Sequence, residues 1–181
     1  MALGNKTRRK CFISYHHDDE YEVQQFIDNF DHDQDVLIAR GIGASMSGDI
    51  IDSTDDDYIK ARIREKYLRD TTVTIVLVGK CTWARKFVDW EVAASLRNTA
   101  TASRSGLMAI TLPSAADYYG KQLPARVQDH VDGENGYARW WKYPSSASDL
   151  ASLIETAHEA RSTRDHLVDN SRTLRSYNSS C

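Results

Sequence analysis

Apolar residues along this chain fall by turns into short unbroken runs and into helical stripes. That alternation predicts an α/β fold of flavodoxin-like type, an open parallel sheet with helices on both faces. Cys11 to Tyr15, Val36 to Ala39, Val73 to Val78 and Leu107 to Thr111 read as four strands. Val73 to Val78 is the most apolar, as a central strand covered on both faces must be. Ala138 to Tyr143 alternates less cleanly before Pro144 and reads as an edge strand. Val23, Phe26, Ile27 and Phe30 recur at helical spacing and form one core-facing stripe. Tyr58, Ile59, Ile63, Tyr67 and Leu68 mark a second helix, and Val88, Val92 and Leu96 a third, from about Arg85 to Asn98. Leu150, Leu153, Ile154 and Ala157 mark the last.

The polar residues supply punctuation. Asp19, with Glu22 three positions on, reads as the reciprocal cap of the first helix. Thr54 reads as the next cap, followed by Asp55, Asp56 and Asp57 where carboxylates favour the helix dipole. Ser146 or Ser148 opens the last helix. Two stretches, Arg40 to Thr54 and Ser114 to Tyr137, are longer than ordinary connections. Thr163 to Cys181 is polar and reads as a helical extension fraying into a tail. The expected organisation is a flexible leader over residues 1–9, a domain over 10–162 and an extension over 163–181.

Composition narrows the function. A chain of 181 residues fits one ordinary domain. A net charge of −3 and a pI near 6.1 argue against nucleic-acid binding. The cations Lys6, Arg8, Arg9 and Lys10 read as part of a solvated leader. Cys11, Cys81 and Cys181 show no CxxC spacing and leave an odd count, so reduced thiols are expected, with no disulfide framework or zinc site. Met1-Ala-Leu3 is too short for a signal-peptide core, and the longest apolar runs are strand-sized. A soluble, cytoplasmic protein without membrane or nucleic-acid partners is expected.

Several motifs fall short of a site. Gly41 and Gly43 are followed by Gly48, too late for a dinucleotide fingerprint, and follow the second strand instead of the first. Gly79-Lys80 lacks the earlier glycine of a phosphate loop. In His16-His17-Asp18-Asp19, neighbouring side chains at a strand end should point to opposite sides, so no metal is expected. A phospho-receiver site needs an aspartate after the third strand, where Val78-Gly79-Lys80 stands. Glu91 is different. It lies about 60° around the helical wheel from Val88, at the shoulder of the apolar face, where a carboxylate is partly desolvated. Spacing alone leaves two readings open: an ion pair with Arg85, Lys86 or a residue of a neighbouring helix, or a functional carboxylate at the sheet's carboxyl edge.

Phe12-Ile-Ser-Tyr15 followed by acidic residues resembles the first box of TIR domains. Thr72 to Gly79, then Thr82 and Arg85-Lys-Phe-Val-Asp-Trp-Glu-Val92, is similar to the TIR third strand and its following helix. The wording is nearest the TIR-like branch that includes the ThsB proteins of Thoeris antiphage systems. Phe87 stands where many TIR domains carry tryptophan, and the Arg40 to Thr54 stretch does not resemble their usual second-strand loop. The resemblance implies a TIR-like sheet and, for an enzyme, NAD as substrate with no separate cofactor. Glu91 would then be catalytic, with Ser14, Tyr15, His16, Trp83 and Phe87 as substrate contacts. The product would be cyclic or linear ADP-ribose, acting on a separate effector protein. The two long stretches would flank the crevice and exclude water. The alternative is a non-catalytic TIR module acting by self-association or docking. A flavodoxin-like flavin binder lacks a phosphate-cradling loop after the first strand.

Overall fold

In the computed structural model, which describes residues 7–42, 46–100 and 102–181, the strand-sized runs pair into an all-parallel sheet of five strands in the order β2-β1-β3-β4-β5. The strands are β1 (Arg9–Ser14), β2 (Leu37–Arg40), β3 (Val73–Val78), β4 (Gly106–Thr111) and β5 (Arg139–Trp141). The helices are α1 (Glu20–Ile27), α2 (Gly48–Ile51), α3 (Asp56–Tyr67), α4 (Lys86–Ser95), α5 (Ala125–Gln128) and α6 (Ala147–Thr163). The flavodoxin-like reading holds, and β3 is buried along its whole length with β1 beside it, as expected.

Strand alternation divides the core. Cys11, Ile13, Val73, Ile75, Leu77, Met108 and Ile110 face α1 and α6, meeting Phe26, Phe30, Leu150 and Ile154. From the other side, Val76, Val78, Leu107 and Ala109 meet Val88, Val92 and Leu96 of α4 and Val127 of α5. Phe12 joins Ile50, Ile59, Ile63 and Trp90 beneath α2, α3 and α4. Gly106 opens β4 without a side chain because a Cβ there would fall on the carbonyl oxygen of Ala157 in α6.

Several expectations are corrected. Arg8 and Arg9 are tied to the domain: Arg8, exposed, pairs with Asp31 and Asp35, and the half-buried Arg9 opens β1 and pairs with Glu155. Lys6 lies outside the described residues, as do Gly43 and Ser45. Asp19 makes no capping hydrogen bond, because a 3-10 turn over His17–Asp19 already bends the backbone before α1. Glu22 instead accepts from the Ser114 amide (3.1 Å). Asp55, not Thr54, caps α3, accepting from the Asp57 and Tyr58 amides. Ser146 caps α6, and Ser148 lies within the helix's first turn.

The largest correction concerns the C-terminus. Beyond α6 and a 3-10 turn at Asp165–Leu167 the chain is not a fraying helix. It is an irregular strap lying against α4 and α5. Its Leu174 is buried, Trp90 Nε1 donates to the Arg175 carbonyl (2.8 Å), and the Ser179 amide donates to the Ala84 carbonyl (3.0 Å). Cys181 forms a disulfide with Cys81, correcting the expectation that all three thiols are free; Cys11 is free and buried. Among the described residues no helix is long and apolar enough to cross a membrane.

Candidate active site

Ser14 and Glu91 meet because of register and alternation. Ser14 pairs with Val76 of β3 and shares the Phe12 face of β1, the face on which α4 lies. Most of α4 is buried: Val88, Asp89, Trp90, Val92, Ala93, Ala94 and Ser95 are all covered. Phe87 and Glu91, four residues apart, are the partly open stripe. Ser14 Oγ, fully buried at the end of β1, donates to Glu91 Oε2 (2.6 Å).

Glu91 opens into a crevice of about 400 Å³ at the carboxyl ends of the strands. Tyr15, His16, His17 and Glu20 line it after β1, Gly41 and Met46 after β2, and Arg85, Phe87 and Val88 after β3. The order β2-β1-β3 puts the topological switch between β1 and β3, the position at which open α/β sheets place their ligands. A larger hollow of about 780 Å³ lies at the opposite end of β3, near Thr71 and Thr72, away from this edge.

Burial raises the pKa of Glu91 to about 7, and the Ser14 hydrogen bond opposes the shift. Among the described residues no cation pairs with Glu91, neither Arg85, Lys86 nor one on a neighbouring helix, and Lys86 lies over the rings of Phe87 and Trp90. His16 is buried, and its pKa is lowered by desolvation and by the nearby charge of Arg85. Asp19 turns inward toward Thr82, burial raising its pKa. Gly79 must be glycine here, since a Cβ would strike that carboxylate.

Of the expected contacts, Tyr15, His16 and Phe87 line the crevice. Ser14 stands behind Glu91 as its hydrogen-bond donor. Trp83 does not line the crevice; its carbonyl accepts from Arg175 of the strap (3.0 Å). The Ser114 to Tyr137 stretch, expected to flank the crevice, contributes no lining residue. It folds instead into the 3-10 helix Pro113–Tyr118 and α5. The two histidines do not diverge: His16 Nε2 and His17 Nε2 approach the two Asp18 oxygens at 3.0 and 2.9 Å, because the strand ends at Ser14 and a turn follows. The three side chains could therefore share an ion, their ligand atoms lying within 4.8 Å of one another.

Two polar lining residues, Arg85 and Asn178, lie outside the expected set of contacts. Arg85, by spacing a candidate ion partner of Glu91, is instead a wall of the crevice. Asn178 reaches the crevice from the strap, its Oδ1 accepting from the Lys86 amide (2.8 Å), and no local pattern in a polar segment announces that contact.

An open parallel sheet with a half-buried carboxylate at its switch point defines the class, a TIR-like α/β domain. The family described as Thoeris protein ThsB, TIR-like domain, matches residues 12–117, and the chain belongs to that family. The match contains Ser14, Arg85 and Glu91 and ends before the strap. No curated protein matches the chain.

Proposed function

We propose that this protein is an NAD-consuming enzyme of antiphage defence that cleaves the nicotinamide–ribose bond, with Glu91 as its catalytic carboxylate. The observation that carries the reading is a carboxylate held by Ser14 at the base of a crevice, with a raised pKa and no basic partner among the described residues. Membership in the ThsB family supports the setting in Thoeris defence.

The chemistry asks for such a group. As the C–N bond breaks, its electron pair leaves with nicotinamide, a neutral leaving group that needs no general acid. Positive charge grows on the ribose as in glycoside cleavage. A fixed carboxylate stabilises that charge, and one poorly solvated beforehand gains most from it. Attack by water releases ADP-ribose and a proton. Attack by a nucleophile of the retained ADP-ribose, on its adenine or its far ribose, closes a ring instead. The product, cyclic or linear, diffuses to a separate effector protein.

The test is NAD incubated with the full chain, with and without extract of infected cells, followed by chromatography and mass spectrometry. Wild-type protein consumes NAD, and a species one water lighter than ADP-ribose identifies cyclisation. Glu91→Gln keeps the shape and loses the charge, so turnover falls about 10²- to 10³-fold while the fold persists. Equal turnover in a folded Glu91→Gln protein refutes the assignment. No NAD loss under either condition returns the protein to the docking-module reading.

A further inference from the structure

Among the described residues no carboxylate pairs with the cation at the wall of the crevice. Arg85 stands immediately before α4 and lines the same crevice as Glu91. Its Nε is shielded from solvent and makes no hydrogen bond among the described residues. No described carboxylate forms an ion pair with its guanidinium, although arginine presents five donors that suit paired anionic oxygens. Its neighbour Lys86 contributes the first amide of α4, whose direction and dipole favour an acceptor. Asn178 Oδ1 occupies that amide now, so an acceptor position beside the crevice is already marked.

We propose that Arg85 and the α4 amide beside it form the anion subsite of the crevice, which takes the diphosphate of the dinucleotide while the nicotinamide ribose lies at Glu91. The assignment rests on the NAD reading for the rest of the ligand. Spacing supports it. Lys86 and Glu91 are five residues apart, about 7.5 Å along a helix, so one ligand can reach both the amide and the carboxylate. The charges favour it too, since Arg85 is the permanent cation among the described lining residues while Glu91 and the exposed Glu20 repel the diphosphate from their own positions. Arg85 is thus a binding residue that sets where the reacting bond falls.

Calorimetric titration of the full chain with ADP-ribose tests this, with NAD turnover followed in parallel. Arg85→Gln should weaken ADP-ribose binding at least tenfold, and Arg85→Lys, which keeps a charge without the fork, should fall between. Asn178→Asp is the discriminating variant. It keeps an acceptor on the Lys86 amide, so the melting temperature holds, yet its charge repels the diphosphate and binding weakens at least tenfold. Inorganic pyrophosphate should compete with ADP-ribose on wild type and not on Arg85→Gln. Wild-type affinity in folded Arg85→Gln or Asn178→Asp, or no ADP-ribose binding by wild type, overturns the subsite. The two readings fail separately. Turnover that ignores Glu91→Gln sinks the catalytic assignment with the subsite intact, and NAD turnover with an unchanged KM in Arg85→Gln sinks the subsite alone.

Discussion

Glu91 and Ser14 together form a tuned pair whose behaviour with pH has a definite sign. Burial lifts the Glu91 pKa from an ordinary 4.5 to about 7, so the charged form that the proposed reaction requires accumulates as pH passes neutrality. Turnover should therefore rise through about pH 7. Ser14→Ala removes the hydrogen bond that favours the carboxylate, moving the limb to higher pH and lowering the rate at pH 7. Stability runs the other way. The proton binds more tightly in the folded state, so this contribution is complete below the unfolded pKa and is lost as pH rises through the folded one. Wild type should lose ground against Glu91→Gln between pH 5 and pH 8, by roughly 3 kcal/mol at most. Thermal melts of the two proteins across that range check the sign, and a gap that does not widen with pH contradicts it.

At the scale of elements, what could be read in advance was whatever the chain states locally. Every strand was placed within a few residues, because an apolar run bounded by polar residues is a local signal and β3 had no polar face to confuse it. Asp19 misled because a capping pattern says nothing of the turn before it, and that turn sent its carboxylate toward Thr82. The two histidines misled in the same way, since strand alternation stops where the strand does. The helical wheel left Glu91 undecided because α4 is covered nearly all round, and only tertiary placement showed which stripe stays open. The strap was illegible because its partners lie far off in sequence. Arg126 of α5, fully buried, holds Asp89 of α4 with two hydrogen bonds (2.9 and 3.3 Å) and also donates to the Arg172 and Thr173 carbonyls. Arg126→Ala leaves the Asp89 carboxylate buried without its cation, so stability should fall by about 3–5 kcal/mol in chemical denaturation. The strap should become a protease site under native conditions. A variant of unchanged stability would mean that Asp89 is held well enough by the Arg175 amide alone (2.9 Å).

For the whole molecule the main constraint is the closure of Cys81 on Cys181, 100 residues apart. In the chain-entropy account, a loop of that length removes enough freedom from the unfolded state to contribute about 4.7 kcal/mol. Treatment with a dithiol, or Cys181→Ser, should lower the melting temperature measurably, with the larger share of the effect on the strap. Identical melts with and without reductant, after mass spectrometry has verified both redox forms, would show the bridge to be idle. The same closure turns the chain into a lasso whose ring holds β4, β5, α4, α5 and α6, while β1 to β3 and α1 to α3 hang from it as a free end. A single cut inside the ring therefore releases nothing: the pieces stay one molecule of unchanged mass but for one added water. A cut in the free end frees a fragment at once. Where a protease has nicked the protein can thus be read from two lanes of a gel, one run with thiol and one without.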